Sequence, residues 1–286
     1  MRRNKMGISV LMSVYKKEKP EYFKTALESM MKQTLQPDEI VVIKDGPLTT
    51  ELEEVLAEAA EKLQKSAKDD LAKKTIALRT YQFEENVQLG RALQKGVELC
   101  QHDLVARMDT DDIACPERLQ KQYDYLMAHP RVAALGGYME EFCDDNSFSN
   151  VKTMPTGLAE LRSYARFRNP LNHMTVMFRR EAILEAGNYR HYPFLEDYDL
   201  WGRVLAEGYQ INNLPEVLVR ARVGNELYGR RGGFDYCKRY LKLRKEQHKL
   251  GITNWVEWMI ACAITIAVTI IPSGARKQVY QKVLRK

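Results

Sequence analysis

Four strand-like runs, separated by stretches of helical pattern, constrain the first half of this chain more than any other feature. Ile8 to Tyr15 (ISVLMSVY) is a mostly apolar run bounded by Gly7 and Lys16, as expected of a strand buried on both faces. Pro20 predicts the start of a helix to about Lys32, with Phe23, Leu27 and Met30 along one side. Glu39 to Lys44 predicts a second strand, broken by Asp45-Gly46-Pro47. A charged helix from Glu51 to about Leu71 leads to a third strand, Thr75 to Tyr81. Leu89, Leu93 and Val97 stripe the next helix, and Leu104 to Met108 is the fourth strand. Such alternation predicts an α/β fold: a mostly parallel sheet with helices on both faces.

The second half is mixed. Pro116 to Ala128 reads as a helix, Val132 to Gly136 and Thr175 to Phe178 as short strands. Ala182 to Ala186 is helical and stops at Gly187; Asp197 to Glu207 is helical, turns Leu200, Val204 and Leu205 inward and stops at Gly208. Phe234 to Leu250 is a basic helix, followed by an uncharged run of 14 residues, Trp258 to Ile271, that ends at Pro272. As a helix that run spans roughly 21 Å, against about 30 Å of hydrocarbon in a bilayer. An interfacial or re-entrant element fits it better than a span, and burial on protein is the competing reading. A last basic stretch pairs Val279 with Val283 and Tyr280 with Leu284.

The fourth strand runs directly into Asp109, Asp111 and Asp112, and Pro116 opens a helix just after them. Three carboxylates so close repel one another, so the fold needs a cation or strong donors there. An oxygen-only set selects Mg²⁺ or Mn²⁺, and Mg²⁺ fills its shell with water and substrate phosphates. The cluster therefore points to a diphosphate-bearing substrate; an acidic turn capping the next helix is the plainer alternative.

Other chemistries lose their support. No GxGxxG follows the first strand and no GxxxxGK[ST] occurs anywhere, which removes the dinucleotide and P-loop readings. The five cysteines form no CxxC pair and the five histidines show no ligand spacing, so neither a zinc site nor a disulfide framework is expected. The N-terminus is basic, but the apolar run behind it is too short for a signal peptide. Charge is uneven: Val217 to Lys286 holds 15 Lys+Arg against 4 Asp+Glu, leaving 29 against 34 for the rest. An anionic partner suits that tail. Each Lys or Arg near anionic lipid contributes about 1 kcal/mol, and no nucleic-acid motif accompanies the charge, so a membrane surface is expected and nucleic acid is not.

The strand ending at Tyr15, the strand ending at Asp45-Gly46, Asn86, the arm RMDTDDIACPERL and the later FLEDYDLWGRV occur in the order found in the family 2 glycosyltransferases. The chain resembles that family over about residues 7–220, most of all the bacterial enzymes that extend capsule, exopolysaccharide or O-antigen repeat units. The resemblance implies a GT-A fold, with a nucleotide-binding half at about 7–115 and an acceptor half at about 116–220. Residues 221–286 would be a helical, membrane-associating segment. It also implies roles. Ser13 and Tyr15 would line the nucleotide base, and Asp45 would accept its ring N–H. Asn86 would belong to the same donor pocket. Asp109 would face the ribose or sugar, Asp111 would hold Mn²⁺ or Mg²⁺, and Asp112 would support that shell. Asp197 would be the general base, with Glu196 as the fallback; an N-cap role for Asp197 is compatible with either. His173 and Trp201 would lie on the acceptor side, where a structural role competes for His173.

Two positions depart from the family pattern: Gln88 replaces a glycine and Gln94 an asparagine, with Gly90 expected to return some backbone freedom. The implied reaction is inverting transfer from a nucleotide-sugar, a UDP-sugar first, to a polyprenyl-diphosphate-linked saccharide. The implied place is the cytoplasmic face of the bacterial inner membrane, peripheral or monotopic. A nucleotidyltransferase and a non-catalytic sugar- or lipid-binding relative remain the alternatives. The first would want a glycine-rich phosphate loop where this chain has KKEKP, and the second would tolerate loss of the acids, which are all present.

Overall fold

The computed structural model describes residues 6–69, 74–145, 147–223 and 233–270. The first half is the expected alternation: β1 (Ile8–Val14), α1 (Pro20–Met31), β2 (Glu39–Lys44), α2 (Thr50–Asp69), β3 (Ala77–Gln82), α3 (Leu89–Leu99) and β4 (Leu104–Met108). Pro20 sits in the first turn of α1, which buries Phe23, Ala26, Leu27 and Met30. Side chains of β1 alternate between two cores. Ile8, Val10, Met12 and Val14 pack with α1 and α2, while Leu11 packs with Leu93 and Val97 of α3. That two-sided burial is why the strand reads as a continuous apolar run.

β1 pairs in parallel with β2, Val14 opposite Lys44, and with β4, Met12 opposite Met108. The chain leaves β1 on one side for β2 and β3, then returns to its other side for β4. Ligands of open α/β sheets bind in the crevice that such a reversal leaves at the carboxyl ends of the strands. Tyr15, Asp45 and Asp109 follow those three strands directly.

The remaining elements are β5 (Ile113–Ala114), α4 (Arg118–Ala128), β6 (Val132–Phe142), β7 (Ser149–Lys152), α5 (Leu158–Ala165), a 3₁₀ turn at His173–Thr175, β8 (Met177–Arg179), α6 (Arg180–Glu185), α7 (Glu196–Ala206) and β9 (Gln210–Arg222). The nine strands run β3-β2-β1-β4-β8-β6-β9-β5, with β7 beside β6. β8 is antiparallel to both β4 and β6, so the parallel half continues into a mixed one.

Sequence reading missed β9 and half of β6. Gly136-Gly137 reads as a strand end, yet β6 continues because β9 fills the space: a Cβ on Gly136 would lie 2.5 Å from Asn213 Oδ1, and one on Gly137 2.5 Å from Leu218 Cδ1. Pro215 argues against a strand, but β9 passes it where the register jumps from Leu214 opposite Gly137 to Val217 opposite Tyr138. A bulge tolerates the missing donor.

Two helices follow, α8 (Phe234–Lys249) and α9 (Trp255–Ile270), both packed on the body of the protein. Arg244 of α8 donates to the Arg166 and Phe167 carbonyls at 3.0 and 2.5 Å and to the Tyr198 hydroxyl at 2.8 Å. α9 begins three residues earlier than the uncharged run, and its acid is the reason it can. Asn254 and Glu257 form a reciprocal cap at 2.9 Å each way, and Glu257 also pairs with Arg166 at 2.6 Å. The inward stripe of α9 is small and partly polar, Ala261, Thr265 and Thr269, whereas Trp255, Val256, Met259, Ile260, Ile264 and Ile266 are exposed by 41% or more. That polarity is reversed from an ordinary surface helix. No helix among the described residues is long and apolar enough to cross a membrane. The basic stretch carrying Val279, Tyr280, Val283 and Leu284 lies outside the described residues.

Candidate active site

The acid cluster sits where β4 ends. One oxygen from each of Asp109, Asp111 and Asp112 lies within 4.8 Å of the others. The fold compensates two of the three. Arg107, buried in β4, grips both oxygens of Asp109 with both terminal nitrogens. Asp112 is buried and accepts the Arg222 N–H at 2.9 Å, while Arg222 Nε donates to the Asp111 carbonyl at 3.0 Å. Asp111 lines the cavity, and burial, with Asp109 and Glu18 adding, pushes its carboxyl up to about 7. Burial, with Asp109 and Asp111 adding, raises Asp112 well above the ordinary range. An all-oxygen cluster in which Asp111 and Asp112 resist ionisation fits a divalent cation of the Mg²⁺ or Mn²⁺ kind, which would reverse those two shifts.

Glu18 was invisible as a site residue in the sequence. It lies in KKEKP after β1, and its carboxylate accepts the Thr110 hydroxyl at 2.7 Å, which carries a fourth acid to the cluster. Arg107 was legible as part of the arm but not as the counter-charge of Asp109.

At the end of β2, Asp45 is buried, and burial raises its pKa. It accepts Asn86 Nδ2 at 2.9 Å and the Val87 N–H at 2.6 Å, so Asn86 holds Asp45 in place. Gln88 follows with φ 71° and ψ 158°, a backbone conformation that favours glycine. Side chains at such angles cost on the order of 1–3 kcal/mol, and the strain persists only where the surroundings impose it. Gln88→Gly is therefore expected to stabilise the protein by about 1 kcal/mol after the glycine's own entropy is subtracted, read as a higher urea midpoint with unchanged slope. A lower midpoint would contradict the strain.

Gly90 does not supply backbone freedom as expected. It lies inside α3, and a Cβ there would come within 2.6 Å of the Arg190 carbonyl and 3.4 Å of Glu196 Cβ. Its role is close approach: the first turn of α3 rests against the start of α7.

A cavity of about 680 Å³ links the acid cluster to the second half of the chain. Asp109, Asp111, Asp112, His173 and Asp197 all line it, whereas Ser13, Tyr15, Asp45, Asn86, Glu196 and Trp201 do not. Asp197, in the first turn of α7, accepts Asn169 Nδ2 at 2.5 Å and its neighbour's Tyr198 N–H at 2.8 Å. Asn169 is a second residue the sequence did not reveal, since nothing local ties it to a carboxylate 28 positions away. Glu196 is buried, and burial with Asp197 beside it pushes its carboxyl up to about 7. His173 contacts Tyr189 Oη through Nε2 at 2.8 Å, and burial holds its pKa well below the ordinary histidine range. Trp201, expected on the acceptor side, is instead fully buried in the second core, edge-on to the His173 ring.

This geometry coincides with clear kinship. Residues 9–187 match the glycosyl transferase family 2 model, and the chain belongs to that family. It is 37% identical over 274 residues to the amylovoran biosynthesis glycosyltransferase AmsE of Erwinia amylovora, covering 96% of this chain and 98% of that one. It is 32% identical over 279 residues to the UDP-Gal:α-D-GlcNAc-diphosphoundecaprenol β-1,3-galactosyltransferase of Escherichia coli, covering 97% and 96%. Among solved structures, a Pyrobaculum calidifontis mannosyltransferase in complex with GDP-Man and Mn²⁺ superposes with TM-score 0.64 at 14% identity, over 98% of this chain and 80% of that one. The chain is thus a glycosyltransferase with a GT-A-like sheet, mostly parallel in its first half and flanked by helices.

Proposed function

We propose that this enzyme transfers a hexosyl group, with inversion, from a UDP-sugar to a hydroxyl of a polyprenyl-diphosphate-linked saccharide during surface-polysaccharide assembly. The observation that carries the reading is one cavity lined by both Asp111 and Asp197. The galactosyltransferase relative, whose name gives a UDP-sugar donor and a diphosphoundecaprenol acceptor, supports the substrate classes. The amylovoran relative supports the pathway class.

In this reading Asp45 and Tyr15 bind the base and Asp109, fixed by Arg107, faces the ribose. Asp111, supported by Asp112, would hold Mn²⁺ or Mg²⁺, which supplies charge neutralisation for the leaving diphosphate. Asp197, oriented by Asn169, takes the proton as the acceptor oxygen bonds to the anomeric carbon. The bond from that carbon to the diphosphate oxygen breaks on the opposite face, and its electron pair leaves with UDP. Glu196 is off the cavity wall and acts through its neighbours. Mixing the protein with UDP-sugars, Mn²⁺ and a lipid-diphosphate saccharide should release UDP and give a β-linked product from an α-linked donor. No UDP release from any nucleotide sugar overturns the activity, and a retained anomeric configuration overturns the mechanism.

The membrane surface is the proposed place of work, and the exposed face of α9 supports it together with the basic α8. An apolar helix face rimmed by Lys and Arg lies in the interface of anionic bilayers. The triple substitution Val256→Glu/Met259→Glu/Ile260→Glu should weaken binding to phosphatidylglycerol vesicles by tenfold or more in a flotation assay. Equal flotation of the variant, or a wild type that never floats, removes α9 as the anchor.

A further inference from the structure

The cavity continues past Asp197 to a region that no step of the transfer uses. Its far wall is formed by Tyr164, Phe167 and Arg168 on one side and by Tyr236 and Tyr240 of α8 on another, and α9 closes it with Ile264 and Val268. This end is aromatic and aliphatic, with a guanidinium set into it. Arg168 is half-buried, lies 5.8 Å from the Tyr164 ring centre, and has no carboxylate within ion-pair distance among the described residues. Arg244 also lines the cavity, and its buried Nε finds no hydrogen-bond partner among the described residues.

The loop that carries Arg168 is held on three sides. Arg166 pairs with Glu257 at the foot of α9, Phe167 gives its carbonyl to Arg244 of α8, and Asn169 grips Asp197. One short segment therefore connects the general base, a cation with no carboxylate partner among the described residues, and the helix whose outer face is apolar. Ile264 belongs to both sides of that arrangement, since it lines the cavity and is 47% exposed. A cation in an apolar, aromatic-walled recess that opens on an exposed apolar face is complementary to an anionic head on a hydrocarbon chain.

We infer that this recess is the subsite for the diphosphate and first isoprene units of a lipid-linked acceptor. Arg168 is its principal diphosphate ligand, and Ile264 and Val268 form the wall along which the chain leaves toward the lipid. The inference rests on the proposed transfer for the identity of the sugar, but the subsite itself is defined by lipid diphosphate alone. The planar fork of arginine can hold two phosphate oxygens at once, which lysine cannot.

The test is a calorimetric titration of farnesyl diphosphate into the protein holding saturating UDP and Mn²⁺, so that the donor site is already filled. Saturable binding is expected. Arg168→Ala should weaken it by about tenfold to a hundredfold, Arg168→Lys should recover part of the loss, and Ile264→Glu should weaken it as well. Inorganic pyrophosphate and farnesol, each alone, should bind at least tenfold more weakly than the joined molecule. Thermal melts by circular dichroism verify that the variants fold. Wild-type affinity in Arg168→Ala overturns the assignment. Pyrophosphate binding as tightly as farnesyl diphosphate would mean a free-phosphate site, and farnesol binding as tightly would mean a plain apolar groove; either overturns it. Because no sugar is transferred, this result is independent of whether UDP is released in the activity assay.

Discussion

Asp111→Ala will lower metal-dependent sugar transfer by about 4 kcal/mol of barrier, roughly a thousandfold, and leave the protein folded. Of the three clustered acids, Asp109 is occupied by Arg107 and Asp112 is buried against the Arg222 backbone. All three line the cavity, and burial with Asp109 holds Asp111 at about 7 in place of 3.8. The sign of its stability effect follows. A carboxyl whose folded pKa is raised binds more protons in the folded state than in the unfolded chain. Without metal, it therefore lets stability fall as pH rises from about 4 through about 7. Asp111→Asn should flatten that fall while abolishing activity, and Mn²⁺ should stabilise the wild type more at pH 8 than at pH 5. Thermal melts across pH, with and without Mn²⁺, read both effects. Full transfer by either variant, or no pH dependence of the metal effect, would contradict Asp111 as the ligand.

Asp197→Asn should cut kcat by about a thousandfold and leave the donor's KM nearly unchanged. A positioned general base contributes roughly 10²–10⁴ in rate, and removing an interaction made only in the transition state lowers kcat without touching ground-state binding. Asparagine keeps the shape that Asn169 and the Tyr198 N–H engage but cannot take a proton. Glu196→Gln is the control. Its carboxylate lies off the cavity wall, so a loss of about tenfold or less is expected. If Glu196→Gln is the more damaging, the two roles are exchanged. Steady-state kinetics with varied donor and acceptor separates the outcomes.

The first half of the fold was legible because β1, β2 and β4 are buried largely by elements close to them in sequence. β1, β2 and β4 are almost wholly buried runs, and their ends place Tyr15, Asp45 and Asp109 at one sheet edge. The second half was not, because its strands depend on distant partners. β9 carries Pro215 through a bulge shaped by β6, and β5 exists only through two pairs with β9. The same distinction holds within the site. Asp109, Asp111, Asp112 and Asp197 announce themselves by clustering or by motif. Glu18 and Asn169 act on residues 92 and 28 positions away, and no local pattern encodes such a contact. Trp201 lies off the cavity for a related reason: its side chain is a core element, and a sequence neighbour of Asp197 need not share its exposure.

The contact at Gly90 has an electrostatic consequence. Gly90 lies in the first turn of α3 and Glu196 in the first turn of α7, so the amino ends of two helices meet there. Each carries the equivalent of about half an elementary positive charge. Two such ends together supply roughly one charge from backbone dipoles alone. They offset the acids of α7 and favour a polyanion nearby, and no side chain has to ionise for it. Titration alters Asp111, Asp112 and Glu196. It does not alter that field.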